Sequence, residues 1–110
     1  MILSDTAILS AMESGDIVVE PFDRDRLGTN SYDVCLGKNL ACYVDDVLDA
    51  RAHNHVERFE ISPEGIVLEP GKTYLGVTEE YTETRRYVPF LEGKSSVGRL
   101  GIDIHATAGK

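Results

Sequence analysis

Between residues 59 and 78 the chain reads Phe59-Glu60-Ile61-Ser62-Pro63-Glu64-Gly65-Ile66-Val67-Leu68-Glu69-Pro70-Gly71-Lys72-Thr73-Tyr74-Leu75-Gly76-Val77-Thr78. Three short runs of β-branched, aromatic and aliphatic residues, Phe59–Ile61, Ile66–Leu68 and Thr73–Thr78, are separated by Pro63–Gly65 and Pro70–Gly71. Proline presets one turn dihedral and glycine supplies positive φ, so each pair marks a reversal between strands. Short strands punctuated in this way predict an antiparallel sandwich or barrel.

Working outward, the same grammar continues. Ile17–Phe22, broken by Pro21, Ser31–Leu36, ended by Gly37, and Leu40–Val44 read as strands. Residues 45–58 are polar and irregular and read as a surface excursion. Tyr87–Leu91 reads as an edge strand because it contains Pro89, and Ile102–Thr107 as a last strand. One helix is predicted, over residues 5–14. Ser4 is its N-cap, Asp5 complements the dipole in the first turn, and Gly15 follows as the stop. Ile8, Leu9, Ala11 and Met12 form its apolar stripe, a surface to pack on a sheet. The fold class is therefore mainly β with a short N-terminal helix.

At 110 residues and 42% hydrophobic composition the chain is read as one domain, 1–110, with a modest core. Such small domains are often helped by oligomerisation. The formal net charge of −8 argues against sequence-independent nucleic-acid binding, which runs on Lys and Arg. Charge is uneven, however. Residues 1–83 carry 6 basic and 17 acidic groups, whereas Arg85, Arg86, Lys94 and Arg99 face only Glu92 within residues 84–99. A basic island in an acidic chain suits a small anion; for Arg85 and Arg86 ordinary surface charge is the plainer reading. Cys35 and Cys42, without C-x-x-C spacing, read as reduced thiols, and no apolar run reaches the length of a membrane span. The expectation is a cytoplasmic protein.

The chemistry-bearing stretch is Glu92-Gly93-Lys94-Ser95-Ser96-Val97-Gly98-Arg99-Leu100-Gly101. If Ser95 caps a helical turn, the following backbone N–H groups converge on an anion. The two hydroxyls add neutral donors, Lys94 a point charge and Arg99 a planar fork. The pattern is not a Walker P-loop, and a plain surface turn is the competing reading. His53 and His55 form an H-x-H pair without further ligands nearby and read as loop histidines.

Gly93–Gly101 resembles the G-R-S-S-x-x-R-x-G phosphate motif of the dCTP deaminase and dUTPase superfamily, and Ile104–Gly109 resembles the H-x-T-A segment of its deaminase branch. Met1-Ile2-Leu3-Ser4-Asp5 with Ile8 is similar to the M-x-L-S-D-x-x-I opening. Pro21-Phe22-Asp23, Ser31-Tyr32-Asp33 and Leu36-Gly37 resemble the P-F-x…S-Y-D-x-x-L-G block, and Leu68–Gly71, Leu75 and Thr78–Glu80 the L-x-P-G-x-x-x-L-x-x-T-x-E block.

The resemblance implies a distorted β-barrel or jelly-roll, a homotrimer with inter-subunit sites, hydrolysis of dCTP to dUTP and ammonia, and dTTP as feedback inhibitor. Magnesium would arrive on the triphosphate. Zinc is not expected, since the H-x-E…P-C-x-x-C set of zinc deaminases is missing. By the resemblance, Lys94, Ser95, Ser96, Val97, Gly98, Arg99 and His105 bind the nucleotide. Ser95 lies near the attacking water, the Ala108 carbonyl helps hold that water, and Arg99 keeps the catalytic carboxylate ionised. His105 has a core-packing alternative, and Tyr32 and Asp33 read as structural. Lys94 departs from the commoner arginine, losing the fork. The family's catalytic glutamate falls past the H-x-T-A segment, beyond Lys110, so the chain reads as truncated at its C-terminus and inactive by itself. A dUTPase, a bifunctional deaminase and diphosphatase, and a non-catalytic nucleotide-binding module are the alternatives.

Overall fold

The computed structural model describes residues 1–105. It is mainly β: five strands in two antiparallel sheets and one full helix. Among the described residues the sheets do not close into a barrel.

Helix α1, Asp5–Ser14, has the bounds expected of it. The Ser4 hydroxyl accepts from the Ala7 N–H at 3.3 Å, satisfying one orphan donor of the first turn. At the other end Gly15 is left-handed, the Gly15 N–H donates to the Met12 carbonyl, and the Asp16 N–H donates to that of Ala11. That pair of bonds is a Schellman closure. Ala11 is buried and the rest of the stripe half-buried, against β1, Ile17–Glu20.

Strand β1 ends before Pro21, two residues short of the predicted run. Its partner is β5, Tyr81–Thr84, with Ile17 opposite Thr84 and Glu20 opposite Tyr81. No strand was predicted there: Tyr-Thr-Glu-Thr is short and polar, and its pairing is supplied by a segment more than 60 residues away.

The second sheet has the order β3-β2-β4, with β2 Leu36–Tyr43, β3 Val56–Glu60 and β4 Leu75–Thr78. Gly37 does not stop a strand over 31–36, as the sequence suggested; it lies inside β2. A Cβ there would sit 3.0 Å from the Val77 carbonyl oxygen, so glycine permits the close approach of β4. The β2–β4 register slips between Leu36 and Leu40, a bulge. Leu40–Val44 is thus the second half of one longer strand, ending at Tyr43. Strand β3 begins inside the presumed excursion 45–58, because Val56 pairs with Tyr43. Ile66–Leu68, Tyr87–Leu91 and Ile102–His105 are not strands. The predicted residues 106–107 of the last strand lie outside the described residues.

The core is small. Ala11, Val19, Leu40 and Cys42 are the buried apolar residues. The accessible surface is 9233 Å², whereas a compact monomer of 12.1 kDa exposes roughly 6,000 Å². Val88, Phe90, Leu91 and Leu100, on either side of the Lys94–Arg99 segment, are among the exposed apolar residues. Among the described residues no helix is long and apolar enough to cross a membrane.

Candidate functional site

The predicted phosphate segment forms one compact turn. Helix α2 is a single turn, Ser95–Gly98, and its N-cap is Lys94, not Ser95 as expected. Lys94 is extended, and its carbonyl accepts from the N–H groups of Val97 and Gly98 at 3.0 and 2.9 Å. Ser95 is therefore the first helical residue, and its carbonyl accepts from the Arg99 N–H at 3.0 Å. The Gly98 carbonyl accepts from Gly101, whose φ of 82° is readily reached only by glycine. Lys94, Ser95, Ser96, Gly98 and Arg99 are all exposed and Val97 is half-buried. The Arg99 guanidinium lies 3.5 Å from the Ser95 hydroxyl. The turn thus gathers two hydroxyls and two cations within six residues, a donor set for phosphate oxygens.

His105 is exposed, and among the described residues no hydrogen bond joins it to the turn. Ala108 lies outside the described residues. The rings of His53 and His55 meet edge to face at 5.6 Å, far along the chain from the turn. Cys35 and Cys42 are both free thiols. The exposed Arg85 and Arg86 are tied to the half-buried Glu83 and Asp16, at 3.7 and 3.6 Å, as ordinary surface charges are.

Two remote segments are built around side-chain contacts, and the first of them reaches the turn. The first is the Ser31-Tyr32-Asp33 block. The Leu27–Tyr32 bridge and the Gly28 N–H to Ser31 carbonyl bond close a tight loop. The Tyr32 ring stacks on Phe22 at 5.3 Å, and its hydroxyl accepts from the Asp23 N–H at 2.9 Å. The Asp33 N–H donates to the Arg26 carbonyl. From this frame the Asp33 carboxylate reaches Lys94 Nζ at 2.7 Å, across 61 residues of sequence. A packing and turn role describes Tyr32 well; Asp33 in addition touches the candidate site, which no local pattern could announce.

The second is the Thr78-Glu79-Glu80 element. Thr78 Oγ1 donates to the Glu80 carbonyl at 2.8 Å, and the Cys35 N–H donates to Glu80 Oε1 and Oε2 at 2.9 and 3.1 Å. Burial alone pushes the Glu80 carboxyl up. Backbone donors at Cys35 and Glu80, together with the Arg26 charge, outweigh it, and the net shift is downward. Glu80 is thus a buried clip between β4 and the start of β2. The Arg26 guanidinium contacts the Cys35 sulfur. Burial, helped by the Glu80 charge, raises the Cys35 thiol above its ordinary value against the opposing pull of Arg26. Phe22, Asp23, Arg26, Tyr32, Cys35 and Glu80 line an open cavity of about 230 Å³ beside this clip.

With this geometry in view, comparison with known proteins is direct. Residues 2–110 match the family described as dCTP deaminase-like. The chain belongs to that family. Among curated relatives, proteins from Clostridium botulinum (strain Alaska E43 / Type E3) and Clostridium acetobutylicum are 50% and 51% identical over 109 residues. One from Cytophaga hutchinsonii is 50% identical. Each alignment covers 99% of this chain and 62% of the relative, and each relative is named "dCTP deaminase, dUMP-forming". The chain spans 62% of the length of these relatives. The product in their name is dUMP, whereas the sequence reading took dUTP as the product.

Proposed function

We propose that the protein deaminates dCTP and carries the reaction through to dUMP, with the Lys94–Arg99 turn as its phosphate cradle. The single observation that supports this most is that turn: it sets Lys94, Ser95, Ser96 and Arg99 together on one exposed helical turn, in a chain half identical to proteins of that name. The balance needs two waters. One attacks C4 of cytosine and expels the 4-amino group as ammonia. The other attacks the α-phosphorus and releases diphosphate, leaving dUMP. The dUTP product expected from sequence is given up in this reading in favour of the product that the relatives' name states.

In this proposal Lys94 and Ser96 hold phosphate oxygens and the Val97 and Gly98 backbone shapes the turn. By the resemblance, Ser95 lies near the attacking water, the Ala108 carbonyl helps hold that water, and His105 lines the site. Arg99 keeps an acid/base carboxylate ionised by charge pairing. Hydroxyls and cations suit phosphate, and the Asp33 carboxylate beside them is already engaged by Lys94, so in this reading magnesium would ride on the triphosphate and zinc has no part. Exposed Phe90, Leu91 and Leu100 beside the turn fit a homotrimer whose sites are shared between subunits. dTTP as inhibitor and a cytoplasmic location belong to the same proposal.

The test is to incubate the purified protein, at its natural length, with dCTP and magnesium and separate nucleotides by anion exchange. Conversion to dUMP without accumulated dUTP is expected. Accumulating dUTP would return the product to the simple deamination; unchanged dCTP would remove the reading. Arg99→Ala should lower kcat by roughly 10²-fold or more, as losses of charge-stabilising groups do. Near-normal turnover in that variant contradicts its role.

A further inference from the structure

We propose that Asp33 is a positioning residue for the phosphate cradle, holding the Lys94 ammonium in place before nucleotide arrives; this rests on the reading of Lys94 as a phosphate ligand. The contact is a short charge-assisted bond, 2.7 Å, between side chains that are 62% and 50% exposed. Exposed ion pairs contribute little to folding. The consequence of this pair is therefore where it puts Lys94, not how much it stabilises the chain.

The two partners differ in freedom. Lys94 sits at the start of a one-turn helix on a long flexible stem and makes no capping bond with its side chain. Asp33 stands on a frame held on several sides: its own N–H on Arg26, the Gly28–Ser31 closure, and Tyr32 locked between Phe22 and Asp23. The rigid partner sets the position of the mobile one. An ammonium has three donors. Spending one on Asp33 leaves two for phosphate oxygens, and an ammonium already ordered loses less freedom when phosphate binds. The arrangement also suits lysine at this position. A guanidinium fork engages a phosphate bidentately by its own shape, whereas a point charge gains from an external guide.

The test is a double-mutant cycle on the natural-length protein: wild type, Asp33→Ala, Lys94→Met and the double variant. Affinity is read with dCTP and magnesium as KM under turnover and, separately, with inorganic tripolyphosphate by calorimetric titration. Asp33→Ala should weaken both probes by about threefold to fivefold, the range that loss of an exposed pair supports. It should leave kcat at saturating dCTP within about twofold, so that the loss appears in KM. In the Lys94→Met background the same change should have no effect, because the partner through which Asp33 acts is gone. Equal losses in both backgrounds would assign Asp33 to the fold alone. Tighter binding in Asp33→Ala would make it a competitor of phosphate; either result overturns the proposal. Wild-type binding that Asp33→Ala leaves unchanged removes this inference while the phosphate-cradle reading stands. A wild type that binds neither probe removes the cradle itself. Should Asp33→Ala fail to fold, the isosteric Asp33→Asn carries the same cycle.

Discussion

Removal of the Glu80 carboxylate tests the account of how the two blocks around Cys35 are joined. Glu80 is 7% exposed and accepts from the Cys35 N–H through both oxygens, at 2.9 and 3.1 Å. A hydrogen bond to a charged acceptor contributes about 1.5–3 kcal/mol, and a buried donor left unpaired costs a comparable amount. Glu80→Ala should therefore destabilise the protein by about 2 kcal/mol, or about 9 °C in Tm for a chain of 110 residues. Glu80→Gln keeps one acceptor and should lose about half as much. The sign of the pH dependence follows from the lowered carboxyl. A group whose folded pKa is depressed stabilises the fold above its unfolded value, about 4.3 for Glu, and that contribution disappears as pH falls through the lower folded value. Wild type should lose the Glu80 increment below about pH 4.3, while Glu80→Gln lacks that component. Thermal melts by circular dichroism between pH 3 and 7, with hydrogen exchange at the Cys35 amide, measure both. A Glu80→Ala loss under about 0.5 kcal/mol, with unchanged exchange at Cys35, would refute the clip.

Two further expectations concern the fold. Ser4→Ala removes the Oγ acceptor of the Ala7 N–H and should cost about 1 kcal/mol in urea unfolding, whereas Ser4→Asp should retain most of it; equal losses would mean that the cap is idle. Gly37→Ala places a Cβ 3.0 Å from the Val77 carbonyl oxygen, so β4 must shift at a cost of about 1–3 kcal/mol. A neutral Gly37→Ala would show that the β2–β4 approach is looser than described.

The local features of this protein were legible because their causes are local. Ser4, Asp5 and Gly15 announce helix α1 at both ends, since caps act on backbone groups within a few residues. The Gly93–Gly101 cluster declares its turn for the same reason, although the cap proved to be Lys94: the turn needs a carbonyl at that position, not a hydroxyl. What tertiary structure alone decided is the pairing. Tyr81–Thr84 becomes a strand because Ile17–Glu20 presents a partner, and Ile66–Leu68, stronger by propensity, does not become one. Gly37 reads as a stop locally and becomes a contact point once β4 arrives. Asp33 reads as a turn residue until Lys94, 61 residues away, is placed at 2.7 Å from it. Caps and turns answer to dihedral preference and near neighbours, so residue order determines them. Strand pairing and charge placement answer to whichever distant backbone or side chain the folded chain brings within a few ångströms.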